Sequence, residues 1–272
     1  MNNKFDWNRF CEVVKKDFRN LWPTFGTTMI VLASLPFAVW LMALVIDRTA
    51  IISPNIRVVM IMVFSSFAAI MLPSRLYRTM NLRGEGIYYA MLPASKLEKF
   101  LSILLYTFVV APVLVYLGSM VLDIILRLMP AGPYHQWLWQ GDAGFPIFTG
   151  IPMDDDTIPG FHSWLLTAAA YSSYFASPAL FLYAATLFKK HKVLYTFLVL
   201  YLIEFVLTII AIPVIMALAQ NPDFMEWLYD TFHHWTPEQI FNWFFGIIAA
   251  VNTIVTVLFT WMAWRRLKKM PY

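Results

Sequence analysis

Six runs of mostly apolar residues, at 27–46, 56–72, 100–122, 164–187, 193–219 and 241–264, decide what this 272-residue chain can fold into. Crossing about 30 Å of hydrocarbon takes about 20 such residues in a helix, and each run meets or approaches that length. A membrane-spanning strand would instead alternate apolar and polar residues over about ten positions. The run VLYTFLVLYLI, from Val193 to Ile203, does not alternate. Backbone groups in hydrocarbon must then pair within their own segment, which selects helices. Only 13% of residues are charged, against roughly a quarter in a soluble domain. The expected fold is an all-α polytopic membrane bundle of six transmembrane helices. The longest connection, 123–163, leaves no room for a separate soluble domain, so 27–264 reads as one membrane domain.

Basic residues retained on the cytoplasmic side set topology, and their distribution is one-sided. Lys4, Arg9, Lys15, Lys16 and Arg19 precede the first span, and Arg75, Arg78, Arg83, Lys96 and Lys99 separate the second from the third. Lys189, Lys190 and Lys192 separate the fourth from the fifth, and Arg265, Arg266, Lys268 and Lys269 open the basic tail 265–272. The opposite connections hold only Arg48, Arg57 and Arg127. The expectation is an integral protein of the plasma (inner) membrane with both termini cytoplasmic. The formal net charge of +4 is then accounted for by anionic lipid at the inner leaflet, and no nucleic-acid partner is expected. The charged segment before the first span does not read as a removable signal peptide, and that span is the expected insertion signal.

Within 1–26, Phe10, Val13, Val14, Phe18 and Leu21 recur at the spacing of one helix face, with Arg9, Glu12, Lys15, Lys16, Asp17 and Arg19 on the rest. This predicts a cytoplasmic amphipathic helix lying in the membrane interface, ended or bent by Pro23. Cys11 stands alone in the sequence, which supports no disulfide and no redox role.

The connection 73–99 carries more pattern than a plain loop needs. Gly84 and Gly86 bracket Glu85 as a turn, Ile87, Tyr88, Met91 and Leu92 follow at roughly helical spacing, and Pro93 stops that short helix. Ser95 reads as an N-cap, and Glu98 stands three residues later to complete a capping box where the third span begins.

This segment resembles the corresponding loop of the permease subunits of ABC transporters of the type-2 exporter class. There an acidic residue and glycine, apolar residues, Leu-Pro, a small residue, Ser, a basic residue and Glu lead into the third span. The chain has Arg83, Glu85, Gly86, Met91, Leu92, Pro93, Ala94, Ser95, Lys96 and Glu98 in that order. It departs from the pattern at Ile87, where Thr is frequent, and in its long outer connection 123–163. The resemblance implies that the loop couples to a separate ATPase subunit through Arg83, Glu85, Gly86, Tyr88, Leu92, Pro93, Ser95 and Glu98. It also implies a second permease copy or a related permease, and a reduced re-entrant hairpin near 225–232. A non-transport membrane protein, an assembly factor or sensor that docks a cytoplasmic partner, is the alternative expectation.

No G-x-x-x-x-G-K-[ST] phosphate loop occurs, so ATP hydrolysis is expected from another chain. Neither an H-E-x-x-H run nor a G-x-S-x-G elbow is present, and no enzyme activity, cofactor or metal is expected. His135, His162, His233 and His234, with Asp154, Asp155 and Asp156, lack ligand spacing. Glu204 is the one acidic residue well inside a span, which makes it a candidate for the transport path or for a hydrogen bond to Tyr201 or Thr208. Pro36, Pro112, Pro178 and Pro213 are expected to kink their spans.

Overall fold

The computed structural model describes residues 5–46, 51–81, 93–129, 132–138, 163–188 and 191–269. Among them all regular structure is helical: α1 (Trp7–Ile46), α2 (Pro54–Asn81), α3 (Lys96–Leu105), a π turn (Tyr106–Val110), α4 (Ala111–Arg127), α5 (Ser163–Leu187), α6 (Lys192–Ala219), α7 (Pro222–Phe232) and α8 (Pro237–Lys269). Five segments are long and apolar enough to cross a membrane: Phe25–Ile46, Pro54–Leu76, Lys96–Arg127, Lys192–Ala219 and Pro237–Lys269. The remaining expected span, 164–187, lies in α5, which has no charged residue but is rich in Ser, Thr and Tyr. Those hydroxyls make it less apolar than the other five.

The amphipathic segment is not a separate helix. Pro23 lies inside α1, which continues without a break into the first span. Asp6 starts it, its carboxylate accepting from the backbone N–H groups of Asn8 at 2.9 Å and Arg9 at 3.4 Å. The apolar stripe then divides: Val13 is buried, Val14 and Leu21 pack on the core, and Phe18 stays exposed. Part of this face therefore packs on protein, and only part is left for lipid.

The core gathers Phe25 and Leu32 of α1, Ala68, Leu72 and Leu76 of α2, Phe100 and Ile103 of α3, Tyr106, and Ala111 and Val115 of α4. Leu182 and Ala185 of α5 and Ala263 and Leu267 of α8 close it. Small residues set its spacing, as expected where helices pack without water to expel. A Cβ on Gly118 would stand 3.1 Å from that of Ala33, so α4 and α1 approach closely there. The most extensive helix pair is α5 with α8. In contrast α6 is exposed along almost its whole length, with Lys192 and Thr196 at its start as its buried residues.

Of the four prolines, Pro112 coincides with a change of helix type. Its ring nitrogen cannot donate to the carbonyl of residue 108. The chain adjusts one turn earlier, where Ala111 N–H reaches back to Tyr106 O and forms the π turn. Pro36, Pro178 and Pro213 lie within continuous helices. Asn221 caps α7 by accepting from Asp223 N–H at 3.0 Å. This helix covers the 225–232 segment and buries no residue within the chain.

Candidate functional site

The loop 73–99 leaves α2 and returns at α3, and its returning end is the most heavily fastened point of the structure. Ser95 Oγ accepts from Glu98 N–H at 3.2 Å, and the Glu98 carboxylate accepts from Ser95 N–H at 2.7 Å, the reciprocal capping box. Glu98 does more than cap. Its other oxygen accepts from Asp6 N–H at 2.9 Å and lies 3.3 Å from the Arg9 guanidinium. The side chain is wholly buried. A carboxylate removed from water is costly unless its lone pairs are met, and these donors from α1 and the cap meet them.

Two further contacts hold α1 to this region. Ser102 Oγ donates to Asp17 at 2.7 Å, and the Tyr106 hydroxyl donates to Val14 O at 2.6 Å. Burial pushes the Asp17 carboxyl above its ordinary range, while the Ser102 hydrogen bond and then Lys16 and Lys99 pull it back.

The end of α8 arrives at the same place. Lys96 Nζ donates to Lys268 O at 2.8 Å, a cation on an otherwise unmet helix-end carbonyl. Phe100 lies 5.1 Å from Trp264, whose ring also carries Lys268 Nζ at 4.7 Å. Leu76, near the end of α2, joins Phe100 and Leu267 in the core. Four elements thus meet around Ser95–Glu98. The junction contains no nucleophile with an adjacent base; what it offers is stiffness, since α3 cannot shift without straining contacts to α1 and α8.

Of the residues singled out from sequence, Ser95 and Glu98 sit in this junction and Pro93 is exposed beside it. Arg83, Glu85, Gly86, Tyr88 and Leu92 lie outside the described residues, as do Asp154, Asp155, Asp156 and His162. Glu204 lies on exposed α6, far along the chain from the junction, and its side chain has no partner among the described residues. Thr208 does bond there, but to the Glu204 backbone carbonyl at 2.8 Å.

Sequence reading missed the opposite end of the bundle. Arg57, counted above as a rim charge, is buried and reaches both oxygens of Asp123, at 2.9 and 3.0 Å. It also donates to Gln136 O and lies 4.4 Å over the Tyr134 ring. Tyr134 in turn donates to Pro36 O at 3.2 Å, and Ile52 N–H to Pro133 O at 3.0 Å. The segment 132–138 is thereby folded into the bundle, with Tyr134 and Leu138 buried. The available signal was an Arg near the start of one apolar run and an Asp just past the end of another.

No family model matches the chain, and neither a curated protein nor a solved structure matches it.

Proposed function

We propose that the chain is the membrane-spanning subunit of an ATP-driven ABC exporter in the plasma (inner) membrane, working with a separate ATPase subunit. It crosses the bilayer six times, α5 supplying the sixth crossing beside α8, with both termini and the loop 73–99 in the cytoplasm. The observation that carries this reading is the junction at Ser95–Glu98, set beside the resemblance of the loop itself. Glu98 holds the loop's exit to α1, and Lys96 holds it to α8. A push on the loop by a closing ATPase would therefore move several spans as one body. A second permease copy covers α6, which a single chain leaves exposed. There Glu204 serves the transport path, because a carboxylate facing bare hydrocarbon would be expensive. The chain itself hydrolyses nothing.

The test is purification of the full chain from its native membrane, with the co-purifying proteins identified and ATP turnover measured in the reconstituted assembly. A Walker-motif ATPase is expected, lost on Glu85→Lys and kept on Lys190→Glu. Expression of the chain should hold in both variants, since insertion depends on the apolar runs. If no ATPase accompanies the unaltered chain, the exporter reading falls, and a docking protein without transport takes its place.

A further inference from the structure

Between α1 and the π turn the bundle leaves an apolar groove enclosing about 270 Å³ of open space. Its floor is Phe25, Leu72 and Tyr106, drawn from three elements and all but inaccessible. Phe18 and Trp22, 45% and 50% exposed, stand as its walls. Gly26 keeps it open: a Cβ there would lie 3.2 Å from the Trp22 indole. The Tyr106 hydroxyl is already engaged with Val14 O. The groove therefore offers nothing to a water-soluble polar ligand and selects a hydrocarbon.

What sits beside it along α1 completes the ligand. Lys15, Arg19, Trp22, Gly26 and Met29 recur at alternating steps of four and three, so they share one helix face. From the N-terminal end the face reads base, base, indole, gap, thioether. The first candidate span opens at Phe25. This order places cations at headgroup depth, an indole at the interface where such rings concentrate, and the open groove where an acyl chain runs. Lys15 is met by Glu12 at 2.9 Å, which leaves exposed Arg19 as the cation nearest the mouth.

We propose that this groove is a binding site for an anionic phospholipid of the leaflet on the N-terminal side, one acyl chain lying against Phe25 and Leu72 and its phosphate against Arg19. A concave floor built from α1, α2 and the π turn distinguishes it from the convex, uniformly exposed surface of α6, which ordinary bilayer lipid can cover.

The experiment uses the full chain in lipid nanodiscs doped with phosphatidylglycerol or phosphatidylcholine carrying a photoactivatable diazirine in one chain. Adducts are mapped by mass spectrometry. Labelling per exposed residue on 18–29 and 106–114 should exceed that on 197–210 of α6. Phosphatidylglycerol should be favoured by about fivefold, the ratio that roughly one basic residue at an anionic surface gives. Arg19→Glu should abolish the headgroup preference and Arg19→Lys should retain it; both changes lie on the exposed surface, so folding is not at stake. Labelling no denser in the groove than on α6 would overturn the site. A headgroup preference that survives Arg19→Glu would overturn the assignment of the phosphate to Arg19.

Discussion

Replacing Glu98 separates a structural clasp from a surface contact. Its carboxylate accepts two backbone N–H groups, from Ser95 and Asp6, through different oxygens. Hydrogen bonds to a charged group contribute roughly 1.5–3 kcal/mol each, and the Arg9 contact, whose guanidinium side is 32% exposed, adds only about 0–1 kcal/mol. Glu98→Ala should therefore destabilise the isolated chain by about 3–5 kcal/mol, which for a protein of this size lowers the thermal midpoint by roughly 6–20 °C. Glu98→Gln supplies one acceptor oxygen where two donors arrive, so one N–H faces an amide NH2 and about half the loss, near 2 kcal/mol, is expected. Ser95→Ala removes only the cap, at about 1 kcal/mol. Unfolding followed by tryptophan fluorescence in detergent gives the three values. An Ala variant within about 0.5 kcal/mol of the unaltered chain, or Ala and Gln variants of equal stability, would refute the clasp.

Arg57→Leu should cost about 3–5 kcal/mol, because Asp123 stays buried without its partner, whereas Arg57→Leu with Asp123→Leu should recover most of the loss in the same assay. For Asp17, burial raises the folded-state value, so the native chain holds this proton more tightly than the unfolded chain. The associated stabilisation is complete below the ordinary aspartate range and is lost as pH rises through the raised value. Asp17→Asn, which can still accept from Ser102, should flatten the stability profile between about pH 4 and pH 7 and be at least as stable at neutral pH; clear destabilisation there refutes it. His191 adopts φ 44° and ψ 41° at the entry to α6, so His191→Gly should raise the unfolding free energy by about 0.5–1 kcal/mol and His191→Val should lower it.

The membrane class was legible because one-dimensional information suffices for it. A run such as 193–219 must pair its own backbone wherever it sits, and α6 forms over nearly that range. The start of α3 was legible for a similar reason, since the reciprocal bonds of Ser95 and Glu98 span three residues. What periodicity could not tell is which partner a face meets. Phe18 and Leu21 belong to one apolar stripe by spacing, yet Leu21 packs on the core and Phe18 is exposed. Pro23 shows the limit of a local rule: it removes one helical hydrogen bond, but α1 continues across it.

The charged residues mark the same limit more sharply. Counting bases by loop treats every Arg as equal, whereas Arg57 and Arg19 meet opposite surroundings. Asp123 lies 66 positions from Arg57 in sequence, a separation at which no spacing rule operates, yet their contact leaves the Arg57 side chain 1% exposed. Glu98 joins the two kinds of information. Its bond to Ser95 follows from local spacing, while its contacts to Asp6 and Arg9 bridge about ninety residues. A residue chosen for a local cap thereby ties the N-terminal helix to the loop's exit. Any force delivered at 82–92 must pass Ser95–Glu98 before it reaches α3, and it reaches α1 through the same carboxylate.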